Sequence, residues 1–152
     1  EDATMASLTD GAIYKAIALP NQSPADDDLS LIVDPSVQGV GSPFGWHDTD
    51  GVAGPEFTIT RGNNVWAQED ENGNNGTGFS PEGGAELIFD FDFDFTQDPA
   101  LSLDASITNL FYLNNMLHDI FYEYGFDEAS GNFQQNNYGN GGNGNDFVYA
   151  DA

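Results

Sequence analysis

Apolar and polar residues alternate most regularly between Leu87 and Phe95. Leu87, Phe89, Phe91, Phe93 and Phe95 fall on one face of an extended chain, and Ile88, Asp90, Asp92 and Asp94 on the other. A period of two sustained over this run predicts a half-buried strand. The period then lengthens. From about Asp104 to Tyr124, the residues Ile107, Leu110, Phe111, Leu117, Ile120, Phe121 and Tyr124 recur at spacings of three and four, which predicts one long helix. Tyr112, Leu113 and Met116 widen its apolar stripe, so the helix is expected to be largely buried. Asp104 or Ser106 is placed to cap its start, and Gly125 to end it in a left-handed cap.

Shorter signals flank these two. Ala12 to Leu19, stopped by Pro20, and Leu29 to Val33, closed by Asp34-Pro35, predict strands on either side of a turn at Pro24-Ala25-Asp26-Asp27-Asp28. Phe57 to Thr60 and Phe147 to Tyr149 predict two brief strands. Gly39 to Gly54 and the Asn/Gly run Asn72 to Gly78 predict loops. No repeat unit or internal boundary interrupts the pattern. The expected fold is α+β: a single β-rich unit, residues 1–152, with one long, largely buried helix at about 104–124 and long Gly/Asn-rich loops.

Composition decides whether such a chain folds. The 12 Phe, 6 Tyr and 2 Trp supply large buried areas, so a core is expected despite the polar loops. Charge narrows the partners. Against 26 acidic residues stand Lys15 and Arg61, for a net charge of −24. No basic patch can form, which excludes nucleic acid and an anionic membrane surface as partners. The field resists aggregation and attracts cations, divalent ones included. There is no cysteine, hence no disulfide and no thiolate metal ligand. No apolar run reaches the length of a membrane span.

Candidate chemistry is sparse. His118-Asp119-Ile120-Phe121-Tyr122 superficially echoes the zinc motif His-Glu-x-x-His, but zinc capture on a helix needs imidazoles at i and i+4, and position 122 is Tyr. A hydrogen-bonded structural histidine is expected at His118. His47, in Trp46-His47-Asp48-Thr49-Asp50-Gly51, is expected to donate to Asp48 or Asp50 and tie down its loop. For calcium, Asp90, Asp92 and Asp94 are candidates from their alternation, although an EF-hand fails because its sixth and twelfth positions would be Phe95 and Leu101. Asp146 is a further calcium candidate, since Gly141 to Tyr149 fits one nonapeptide of a calcium-binding β-roll, without the second copy that would complete the shell. No spacing singles out a catalytic residue.

Several strings read together resemble the fungalysin family of secreted zinc metalloendopeptidases, as a bacterial-type member. The strongest is Ala105-Ser106-Ile107-Thr108-Asn109-Leu110-Phe111-Tyr112-Leu113-Asn114-Asn115-Met116-Leu117-His118-Asp119, continuing through Tyr124-Gly125-Phe126-Asp127-Glu128 to Gly131-Asn132-Phe133-Gln134. Asn136-Asn137 followed by Gly139 to Asp146 is similar to the family, as are Ser42-Pro43-Phe44-Gly45-Trp46-His47-Asp48 and Gly62-Asn63-Asn64-Val65 upstream. These matches lie in order and cover most of the chain from about Tyr14 onward.

The resemblance implies the first lobe of a two-lobed, thermolysin-like catalytic region. In the family the zinc ligands and the catalytic Glu, which acts as base toward a zinc-activated water, come later in the chain. No catalytic and no zinc residue is therefore carried over, and His118 is expected not to be a ligand. The chain would be truncated before the zinc-binding lobe, with Glu1 a maturation product after a propeptide and the substrate-pairing edge strand following Ala152. The expected partners are that missing carboxy-terminal lobe, the propeptide and polypeptide substrates, in an extracellular setting. The isolated chain is expected to be inactive and, with its lobe-facing surface uncovered, to self-associate. The alternative is a non-catalytic, acidic, calcium-stabilised extracellular structural or assembly module. A His-Glu-x-x-His in the downstream coding sequence would decide for the peptidase.

Overall fold

The computed structural model describes residues 10–23, 29–38 and 40–152. The turn expected at Pro24 to Asp28 lies outside the described residues. Among the described residues five strands and one helix follow in order: β1 (Ile13–Ala16), β2 (Ser30–Val33), β3 (Val65–Gln68), β4 (Ile88–Phe89), α1 (Leu103–Glu123) and β5 (Val148–Asp151). Single 3₁₀ turns at Pro35–Gln38 and Pro99–Ser102 follow β2 and lead into α1. The mixed α and β content expected from the sequence is borne out, with one helix and two small sheets.

In the first sheet β1 is central. It pairs antiparallel with β2, Tyr14 opposite Ile32, and parallel with β4, Tyr14 opposite Phe89. The second sheet pairs β3 with β5 in parallel, Val65 opposite Val148. The sequence pattern predicts no strand at β3, and the one expected at Phe57 to Thr60 is reduced to isolated bridges, Ile59 with Glu82 and Arg61 with Trp66.

The Phe/Asp run departs furthest from expectation. Its period of two survives as burial only as far as Phe93: Leu87 and Phe89 are buried, Phe91 and Phe93 half-buried, and Phe95 is exposed. Yet only Ile88 and Phe89 join a ladder. Beyond them the carboxylates take other partners. Lys15 Nζ sits 3.2 Å from Asp90 and also bonds Asp92. Asp94 turns the chain by accepting from Thr96 N at 2.9 Å, Thr96 Oγ1 at 2.7 Å and Gln97 Nε2 at 2.6 Å. Those bonds, Thr96's first, hold the exposed Asp94 carboxyl below the usual range.

Helix α1 ends as the sequence implies. Gly125 has φ +92°, its N–H reaches Tyr122 O at 3.0 Å, and Phe126 N reaches Phe121 O at 3.0 Å, which is a Schellman motif. Its start differs. Neither Asp104 nor Ser106 caps it: Ser102 occupies the cap position with no side-chain cap bond, and Ser106 Oγ donates back to Ser102 O at 3.1 Å. The side-chain cap belongs instead to Asp98, which accepts from Ala100 N at 3.1 Å one turn upstream.

The helix is buried on one face rather than largely. Ala105, Ile107, Thr108, Phe111, Tyr112, Asn115 and Asp119 are inside. Leu117, Ile120, Phe121 and Tyr124, expected in the stripe, face solvent, with Phe121 51% and Tyr124 87% exposed. The core is an aromatic stack. Tyr14 and His47 each lie nearly parallel to Phe89, at 5.4 Å between ring centroids, and Phe111 and Trp46 close it from the side of α1. The helix thereby packs against both β1 and β3.

Candidate cation site and the two histidines

His47 is fully buried, and neither Asp48 nor Asp50 is its partner. Its Nε2 meets the Tyr14 hydroxyl at 2.7 Å and its Nδ1 meets Arg61 O at 3.0 Å. The expected loop tie exists but runs through the backbone, from His47 N to Asp10 Oδ2 at 2.9 Å. The ring belongs to the core because three aromatic faces surround it. Burial lowers its pKa, so the neutral form is favoured.

His118 is the hydrogen-bonded structural residue expected from the sequence. Nδ1 contacts Asp119 Oδ1 at 3.0 Å, and Nε2 lies 3.4 Å from Asn132 Nδ2. Asp119 in turn accepts from Ser42 Oγ at 2.7 Å and Trp46 Nε1 at 2.8 Å. This polar knot explains why the inner face of α1 carries Asn115 and Asp119: the helix packs there on the 42–47 loop, not on an apolar sheet.

Asp90 and Asp92 come together around Lys15, and Asp94 serves its own turn. Asp146 Oδ1 accepts from Gln134 N at 3.0 Å, clipping two loops together. The structure does not bring these four calcium candidates into one group.

A different trio converges. Among the described residues, Asp48, Asp50 and Glu56 form the one group of three or more potential ligands, with one oxygen from each within 4.8 Å of the others. The local sequence builds it. Gly51 adopts φ +81° and lets the chain turn back, and Glu56 N closes the loop on His47 O at 3.1 Å. Asp48 Oδ1 accepts from Gly51 N at 3.0 Å and from the Tyr138 hydroxyl at 2.8 Å. Glu56 Oε2 accepts from both the N–H and the hydroxyl of Thr49, and Asp50 Oδ1 from Val52 N at 2.7 Å. Asp48 is wholly buried, whereas Asp50 and Glu56 are exposed. Burial pushes the Asp48 carboxyl up, against the pull of its bonds to Tyr138 and Gly51, and the charges of Glu56 and Asp50 add to the rise. Burial and then Asp48 push the Tyr138 phenol up as well. The sequence places Asp48 and Asp50 in one loop, but Glu56 enters only through the reversal after Gly51.

The donor set bears on the choice of metal. Three carboxylates make an all-oxygen group suited to hard ions such as calcium, whereas zinc favours imidazole and thiolate ligands. With both His47 nitrogens engaged in the core and His118 tied to Asp119, the described residues do not fit a zinc site.

A second surface feature involves α1 and β5. Leu117, Phe121, Phe126, Phe133 and Val148, with His118 at the margin, line an apolar groove of about 210 Å³ between α1 and β5.

The chain is similar in sequence to one family of known proteins. The sequence model of the fungalysin metallopeptidase (M36) family matches residues 13–152. The chain is 40% identical over 144 residues to extracellular metalloproteinase 2 of Trichophyton tonsurans, covering 93% of this chain and 22% of that protein. It is 42% identical over 144 residues to the protein of the same name from Arthroderma gypseum. Extracellular metalloproteinase 3 of Trichophyton tonsurans is 40% identical over 147 residues. The chain thus spans 22% of the length of each of these relatives.

Proposed function

The chain belongs to the fungalysin metallopeptidase family, and from that premise we propose that it is one part of a secreted zinc metalloendopeptidase that hydrolyses peptide bonds in proteins. Residues 1–152 form the amino-terminal lobe of the catalytic region, as in other thermolysin-like peptidases. The zinc and the catalytic Glu belong to a separate, carboxy-terminal lobe. The names of the relatives support secretion, and among the described residues no helix is long and apolar enough to cross a membrane.

The observation that carries this reading, beyond the family match, is the outer face of α1. Leu117 is 39% exposed and Phe121 51%, next to Phe133 at 48%. An apolar groove of this kind marks an interaction surface. Its occupant in the parent enzyme is the zinc-binding lobe.

Bound in that lobe, zinc would supply Lewis-acid and water-activating chemistry toward the scissile peptide bond. This chain's residues take no such step, because they do not fit zinc. Their part is to position: Asp119 fixes the 42–47 loop against α1, and the aromatic core holds the helix whose outer face meets the partner lobe. Incubating the full chain with casein tests the reading. No hydrolysis is expected with or without added zinc, and casein degradation that stops on adding a chelator would overturn it.

A further inference from the structure

We propose that Asp48, Asp50 and Glu56 form a calcium-binding site that fastens the loop carrying them. The proposal goes beyond the peptidase reading and does not depend on it.

Four observations converge. First, oxygens from all three carboxylates lie within 4.8 Å of one another. Calcium–oxygen distances of about 2.3–2.6 Å put opposite ligands roughly 5 Å apart, so one ion can touch all three with little rearrangement. Second, Asp48 is 0% exposed, and its Oδ1 is satisfied by Gly51 N and the Tyr138 hydroxyl, but its Oδ2 is buried with no hydrogen-bond partner. A carboxylate oxygen removed from water and left unpaired is strongly disfavoured, and a cation between Asp48 and its two acidic neighbours satisfies it.

Third, no basic side chain is free to serve instead. The sequence has two, and Lys15 pairs with Asp90 and Asp92. Arg61 lies over the rings of Phe57 and Trp66, at 4.2 and 4.3 Å from their centroids. Fourth, the trio is buried at Asp48 and open at Asp50 and Glu56. Three carboxylates supply part of a six- to eight-oxygen shell, and the open side admits the waters that complete it. Thr49 holds the Glu56 carboxylate in place, so the group is partly organised before the ion arrives.

Calorimetric titration of the full, chelator-treated chain with calcium chloride tests the site. Because a chain of charge −24 binds cations diffusely, the readout is the saturable component. One calcium per chain is expected, with Kd of about 10⁻⁴ to 10⁻³ M, in the range of extracellular modules, and a thermal midpoint that rises as the site fills. The double variant Asp50→Asn/Glu56→Gln changes two exposed side chains, and circular dichroism verifies that it folds. It should lose the saturable component, weakening binding by about tenfold or more. Asp90→Asn/Asp92→Asn should leave that component intact. Asp48→Asn should also lose it, and the exposed double variant keeps the test decisive if Asp48→Asn fails to fold. Absence of saturable binding up to about 10 mM calcium, or wild-type binding by Asp50→Asn/Glu56→Gln, would overturn the proposal. So would loss of binding in Asp90→Asn/Asp92→Asn.

Discussion

The indole Nε1 of Trp46 donates to Oδ2 of Asp119 over 2.8 Å, between two buried side chains far apart in sequence. Asp119 also accepts from Ser42 through its other oxygen, so one carboxylate on α1 organises the loop that leads to His47 and Asp48. Asp119→Ala strips the acceptor from two buried donors and is expected to cost about 3 kcal/mol. Asp119→Asn keeps the shape and one acceptor and should cost about half of that. Urea denaturation of the variants checks both values; a loss for Asp119→Ala no larger than that of an ordinary surface substitution would refute the role.

Gly62 is required for a packing reason. A Cβ at this position would lie 1.6 Å from Trp46 O, against rigid backbone. Gly62→Ala is expected to cost about 3 kcal/mol or more, or to prevent folding. Gly131 offers the contrast, with φ +88° and open space around it. Gly131→Ala should cost about 1–2 kcal/mol, the conformational term alone. Thermal melts of the pair separate clash from strain.

The phenols set an alkaline limit. Burial first of all raises Tyr14 and Tyr112 above the ordinary phenol value, and burial with Glu128 brings Tyr122 up to about 12. Each raised group favours the protonated, folded state. Their contribution is therefore full below about pH 10, where unfolded phenols begin to ionise, and is lost as pH rises through the folded values. Absorbance at the phenolate band should lag in the native chain near pH 11 and jump on adding denaturant. Phenolate absorbance that matches the denatured chain throughout would contradict this.

Self-association is expected from the exposed apolar groove. Sedimentation velocity of the full chain should show concentration-dependent dimers or larger species, and Leu117→Asp with Phe121→Asp should abolish them at little cost in stability, since both side chains are exposed. A wild-type chain that stays monomeric at all concentrations would count against the groove as a docking face.

Much of this architecture is legible in the sequence because period and end signals are local. The helix expected at 104–124 spans 103–123, Gly125 ends it as its φ requires, β1 and β2 fall within their expected runs, and β5 overlaps its own but runs on to Asp151. What period cannot show is pairing. The Phe/Asp alternation sorts burial as far as Phe93 and fails at the exposed Phe95, and whether residues 90–95 join a ladder depends on where Lys15 and Thr96 stand. The helix stripe misleads for a related reason. Periodicity assigns the apolar face inward, but the inner surface facing Asn115 and Asp119 is a polar loop, and apolar residues on the other side, Leu117, Ile120, Phe121 and Tyr124, are exposed. At the candidate site, Asp48 and Asp50 are visible as a loop, whereas Glu56 and Tyr138 arrive by tertiary closure that no spacing encodes.

The proposed division of labour between this chain and a separate zinc-bearing lobe is tested most directly by metal analysis. The full chain, loaded with zinc and passed through chelator-treated buffer, should retain well below one zinc per molecule by elemental mass spectrometry, and His118→Ala should not change the value. Retention of one zinc per chain, lost in His118→Ala, would contradict the account.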